Sequence, residues 1–150
     1  MSEWTIRDAV PAEAAALAEL QRRASLVWES DRALHEAHPD LIQPPVEAIA
    51  EGRARGAVSP GGEILGFVLV AHGARVLEID DLFVEPAAMG RSVGRALVED
   101  VVAAAAAAGA QAVEATVNDN AFGFYEGIGF VTVGRAQTLL GTAPRMRREL

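Results

Sequence analysis

Cysteine is absent from the 150 residues. That absence excludes disulfides, thiolate zinc sites, iron–sulfur clusters and a cysteine nucleophile together. Lysine is absent as well, and all 13 basic residues are arginine. A Schiff-base lysine and a P-loop lysine are therefore excluded. Long apolar runs are missing too; the stretch Val101 to Ala108 is far too short to cross a bilayer. Positive charge is scarce. The formal net charge is −8, whereas a general nucleic-acid binder needs a basic face. The opening Met1-Ser2-Glu3-Trp4-Thr5 is polar and acidic, without the basic and apolar regions of a signal peptide. We therefore expect a cytoplasmic protein with no membrane and no nucleic-acid partner. His35 and His38 lie three apart, and with His72 they make no metal-ligand spacing, so no metal is expected.

What is present suits a packed domain. Apolar residues make up 51% of the chain and charged residues 23%, enough for a core and a wet surface. The length predicts a single domain over 1–150. Trp4 to Asp8 reads as a strand. Pro11 suits the first turn of a helix that runs to Ala24, with Leu17, Leu20 and Ala24 on one face. Ser30 is placed to cap a short helix through Ala37, and Val46 to Glu51 forms another. Three strands follow at Arg53 to Ser59, Ile64 to Ala71 and Arg75 to Val84, separated by glycine turns. A helix is predicted from Ser92 to Ala108, with Leu97, Val101 and Val102 as its apolar face and six alanines that permit close packing. Gln111 to Val117 follows by a helical crossover, so it is expected parallel to strand 75–84. A short helix, Ala121 to Glu126, and strands at Phe130 to Ala136 and Arg145 to Glu149 complete the chain.

The most informative stretch runs from Leu82 to Leu97. A strand ends, a turn of small residues follows, and a long helix begins within it. The first N–H groups of such a helix lack internal acceptors and can hold an anion. Gly90, Ser92 and Gly94 admit close approach to the backbone, and Arg91 and Arg95 add positive charge. The spacing Gly90-xxx-Gly94 is not the dinucleotide fingerprint.

Leu82, Val84, Pro86 and Gly94 resemble the acyl-CoA-binding motif of the GNAT-superfamily N-acetyltransferases. Met89 stands where that motif has Arg or Gln, and Ser92 where it has its first glycine. Ser92 fits the motif if its φ is negative. The stretch Asn118 to Phe130 is similar to the family's second signature at every typed position: Asn118, Ala121, Phe124, Tyr125, Gly129 and Phe130. The resemblance covers nearly the whole chain and is weakest over 25–50. It implies an α/β fold: a mixed, mostly antiparallel sheet of six to seven strands flanked by helices, splayed between two central parallel strands. It also implies acetyl-CoA as co-substrate, held by Leu82, Phe83, Val84, Met89, Gly90, Arg91, Ser92, Val93, Gly94, Arg95, Asn118, Ala121 and Phe124. A homodimer is a family-level expectation.

Acyl transfer to an amine requires removal of a proton, stabilisation of an oxyanion and protonation of a leaving thiolate. Strand alternation puts Glu78 and Asp80 on one face and Asp81 on the other. Glu78 sits where some family members carry a catalytic glutamate. It is read as base or as binder of the substrate cation, with Asp80 as second candidate. The plain alternative is an ion pair of Glu78 with an arginine such as Arg75 or Arg53. Tyr125, the single tyrosine, is implied by the resemblance to lie near the cofactor sulfur as acid. Backbone N–H groups around Leu82 to Val84 are the oxyanion donors. Trp28 and His35 are candidates to contact the acceptor. The acidic group Glu29, Asp31, Glu36 and Asp40 suits a cationic amine. The reading is an acyltransferase that moves an acetyl group to a primary amine of a small molecule or peptide by direct attack. The alternative is an acyl-CoA sensor of the same fold without chemistry.

Overall fold

Short runs of strand-forming residues closed by turns make the strands, and the helices fill intervals between them. The computed structural model describes residues 3–27, 29–138 and 141–150. The strands are β1 (Thr5–Asp8), β2 (Ala54–Val58), β3 (Ile64–His72), β4 (Val76–Val84), β5 (Ala112–Thr116), β6 (Val131–Thr138) and β7 (Gly141–Glu149). The α-helices are α1 (Ala14–Ser25), α2 (Glu29–Ala37), α3 (Val46–Ala50), α4 (Val93–Ala107) and α5 (Phe122–Gly127). The seven strands form one sheet in the order β1-β2-β3-β4-β5-β7-β6. β4 and β5 pair in parallel, as a helical crossover between them requires. The pairs β1–β2, β2–β3, β5–β7 and β6–β7 are antiparallel. The β4–β5 ladder covers Val76–Ile79 of β4, which then runs on to Val84, while β5 ends at Thr116.

The chain divides into two compact units, Met1–Leu69 with Asp81–Val98, and Val70–Asp80 with Glu99–Leu150. In the first unit, Leu17 and Leu20 of α1 pack with Ile49 of α3 and with Ala54 and Phe67 of the sheet. Spacings of three and four put both leucines on one helix face. The Phe83 ring lies against Phe67, with centroids 5.8 Å apart. In the second unit, Val113, Phe130 and Met146 are fully buried, and Tyr125 meets Phe130 edge-on at 5.1 Å.

Three local expectations change. α2 begins at Glu29, so Ser30 lies inside the helix rather than at its cap. On α4 the buried face is Val93, Leu97, Val98, Val101 and Ala105; Val102 is only half-buried, and Ala103, Ala104, Ala106, Ala107 and Ala108 are exposed. A spacing of three and four from Leu97 selects Val101 and Ala105, whereas Val102 falls on the flank. β7 starts at Gly141, not Arg145. Pro144, within the strand, cannot donate to a ladder. It is tolerated because the β5 ladder ends at Arg145, and the Pro144 carbonyl accepts the Val117 N–H at 2.9 Å.

Candidate active site

In the first unit, β4 leads into a tightly held turn. The Glu85 N–H donates to the Leu65 carbonyl at 2.8 Å, pinning the strand's exit. Pro86–Ala88 form one 3-10 turn, and Met89 follows in extended conformation with its side chain exposed. Gly90 (φ 81°) and Ser92 (φ 67°) are both left-handed, and Arg91 between them is not. Alternating hand turns successive N–H groups toward a shared concavity, which favours an anion. α4 starts immediately afterwards. The Ala96 N–H reaches the Ser92 carbonyl at 3.0 Å, so those of Val93, Gly94 and Arg95 precede the first helical bond and carry partial positive charge. A Cβ built on Gly90 would meet nothing within 4 Å, so this face is open. The turn therefore fits a pyrophosphate through backbone donors.

The condition set for Ser92, a negative φ, is not met; at 67° the serine holds the left-handed conformation that glycine adopts without steric cost, so it takes up this backbone under strain. Arg91 is exposed and pairs with Glu3 at 2.7 Å, and Arg95 is exposed. Leu82, Phe83 and Val84 are half-buried. The Phe83 ring lies against Phe67. His35 lies on α2, half-buried, and its Nδ1 has no hydrogen-bond partner among the described residues. Such a buried atom calls for an explanation, a ligand being one. Trp28 lies outside the described residues.

The second unit holds the candidate acid and base. Alternation along β4 buries Leu77 and Ile79 and leaves Glu78 half-buried and Asp80 exposed. Both Glu78 oxygens accept from Arg145 of β7: Nη1 donates to Oε1, and Nη2 donates to Oε2 at 3.0 Å. Arg145 also donates to Thr116 Oγ1 at 2.9 Å and to Glu114 at 2.8 Å. Arg147 continues the row, reaching Glu114 and Glu149 at 2.6 Å each. Register explains this. Glu78 stands beside Glu114 across the parallel pair, and Glu114 beside Arg147 across the antiparallel one. The Arg147 hydrogen bond, and then that of Arg145, lowers the Glu114 pKa against the opposing effect of burial.

The ion pair weighed as the plain alternative for Glu78 thus exists, with Arg145 and not with Arg75 or Arg53. Arg53 binds Glu51 at 2.8 Å, and the Arg75 carbonyl accepts from Gln111. Sequence reading missed Arg145 because only the register of three strands brings it to Glu78. The available signal was charge on one face: Glu114 on β5, with Arg145 and Arg147 on β7.

Asn118 is exposed, and its Oδ1 accepts the Ala121 N–H at 2.9 Å, shaping the entry to α5. Phe124 and Tyr125 meet edge-on at 5.2 Å, with Phe124 exposed and Tyr125 buried. Among the described residues, no group of three or more His, Asp or Glu is placed to hold a metal ion.

The family profile described as an acetyltransferase (GNAT) domain matches residues 28–143. The chain belongs to the GNAT acetyltransferases. It is an acyltransferase of that family, which moves acyl groups from CoA. A GCN5-related N-acetyltransferase from Rhodopseudomonas palustris is 25% identical, with a TM-score of 0.79 over 100% of this chain and 98% of that one. The PaiA N-acetyltransferase of Thermoplasma acidophilum, solved with coenzyme A, is 18% identical, with a TM-score of 0.80 over the full length of both chains. N-acetylglutamate synthase of Neisseria gonorrhoeae, solved with coenzyme A and N-acetylglutamate, is 17% identical; the match covers 100% of this chain and 36% of that one, with a TM-score of 0.74. The curated protein sequences contain no match. No helix among the described residues is long and apolar enough to cross a membrane.

Proposed function

We propose that this GNAT enzyme transfers an acetyl group from acetyl-CoA to a primary amine of a small molecule or peptide by direct attack. The observation that carries the cofactor half is the turn at 85–95, with left-handed Gly90 and Ser92 and the first N–H groups of α4. In this reading Met89 to Arg95 and the backbone of Leu82 to Val84 hold the co-substrate, with Asn118, Ala121 and Phe124 contributing from the second signature. When bound, acetyl-CoA supplies an activated thioester. Glu78 orients the acceptor ammonium and takes one of its protons, passing it to solvent; Asp80 is the second carboxylate in line. A C–N bond then forms as the C–S bond breaks. Tyr125 protonates the departing sulfur and regains a proton from the acylated nitrogen, so one proton is released overall. Backbone N–H groups near Leu82 to Val84 bear the oxyanion. Trp28 and His35 are assigned to the acceptor; the orphaned His35 Nδ1 supports its half of this. Cytoplasmic residence, a homodimer and one domain over 1–150 belong to the same proposal.

The test is thiol release from acetyl-CoA with a panel of polyamines, amino acids, aminoglycosides and peptides. The chain has no cysteine to raise the background. Glu78→Gln and Tyr125→Phe should each slow turnover roughly 10²-fold or more, with CoA affinity within about twofold of wild type. Variants at the wild-type rate would overturn the residue assignment. CoA binding without turnover of any amine would favour the sensor.

A further inference from the structure

Gly66 lies in β3, buried, opposite Ala57 of β2 and outside both sequence signatures. It lies where the phosphate turn is anchored at both ends. A Cβ built on it would stand 3.0 Å from the Phe83 carbonyl oxygen, 3.0 Å from Val93 Cγ1 and 3.2 Å from Leu97 Cδ1. Those distances are shorter than ordinary van der Waals contact. The first atom belongs to the end of β4, and the other two to the first turns of α4. The preceding residue, Leu65, supplies the carbonyl that holds the Glu85 N–H at 2.8 Å. The connection from Phe83 to Leu97 is thus drawn onto β3 at both its ends, and a side chain at Gly66 would force that approach to give by a few tenths of an ångström.

We infer that Gly66 is a positioning residue for the acyl-CoA site: its missing side chain sets how deeply the end of β4 and the start of α4 seat on β3, and hence where the turn's N–H groups point. The inference rests on the proposed phosphate turn. Backbone donors act at fixed positions, so a displacement of a few tenths of an ångström at the anchor moves them all at once. Val93 and Leu97 are 1% and 0% exposed and have no free side on which to yield.

The test is CoA titration calorimetry beside thermal unfolding, on wild type, Gly66→Ala, Val93→Ala, the double variant and Ile49→Val. Ile49 is a buried residue of α3, outside the turn, and serves as a control for general loss of stability. Gly66→Ala should raise the CoA Kd about tenfold by overfilling the seat. Val93→Ala should raise it about threefold by loosening it. The double variant should fall nearer wild type than the product of the two, because the methyl added by Gly66→Ala takes up space that Val93→Ala gives back. Ile49→Val should lower the Tm and leave Kd unchanged. Wild-type affinity in Gly66→Ala, or a Kd that follows Tm across all variants including Ile49→Val, overturns the role. If Gly66→Ala does not fold, unchanged Kd in Val93→Ala overturns it instead. Failure of wild type to bind CoA removes the phosphate-turn reading itself, and the inference with it.

Discussion

Ser92 holds a left-handed backbone at φ 67° although it carries a Cβ. That conformation costs a non-glycine residue roughly 1–2 kcal/mol, partly offset by the greater unfolded-state freedom of glycine. Ser92→Gly should therefore raise stability by about 1 kcal/mol or less, read as a higher Tm; an unchanged or lower Tm would show that the serine is not strained. The strain sits at the turn that leads into α4, the kind of place at which it persists when surrounding structure enforces it. Ser92 is flanked by the buried Val93 and follows a strand exit pinned by the Leu65–Glu85 bond. Glu78 illustrates a second residue-scale point. Arg145 and the pleat together fix its carboxylate, so in the proposed reaction the acceptor amine would meet a carboxylate already held at both oxygens.

At the scale of elements, three strands share one row of charge. Glu78, Glu114 and Glu149 alternate with Arg145 and Arg147 across β4, β5 and β7. The Glu114 pKa is lowered from the ordinary 4.5, chiefly by the Arg147 hydrogen bond. A folded-state value below the unfolded one means that the stabilisation is present above about pH 4.5 and is lost as pH falls through the lowered value. Glu114→Gln should therefore cost about 1 kcal/mol at pH 7, a figure reduced for solvent screening. Its deficit against wild type should close as pH is taken below 4.5. Urea unfolding at both ends of that range checks this, and a constant deficit would refute the linkage. The row was only partly readable beforehand. Alternation placed Glu78 and Asp80 on one face, because a pleat has period two whatever its neighbours. Which arginine meets Glu78 depends on the β5–β7 register, and no local pattern around Glu78 encodes it.

At the scale of the whole molecule, a chain of net charge −8 binds a polyphosphate in this proposal. Long-range attraction cannot supply that binding, so short-range donors at the turn must. Saturating acetyl-CoA, at about 100 times its Kd, should stabilise the protein by about 2.7 kcal/mol, raising Tm by roughly 5–10 °C. No shift at millimolar ligand would remove the co-substrate assignment. High salt should weaken this binding less than it weakens ion pairing at an exposed basic patch, because oriented N–H groups are screened only at the turn.

What the sequence determined by itself is what depends on spacing within one segment. The order of strands and helices follows from apolar periodicity and from glycine and proline turns. The turn at 82–97, proposed to hold phosphate, and the Asn118 to Phe130 signature are readable for the same reason: each is a continuous stretch of residues. Only the tertiary structure decided the rest. It paired Glu78 with Arg145, chose Val98 and Ala105 over Val102 for the buried face of α4, set Ser92 left-handed and placed Gly66 beneath the turn. Each of these depends on register or close packing between segments distant in the chain, and those contacts are settled only when the sheet has assembled and its layers have closed on one another.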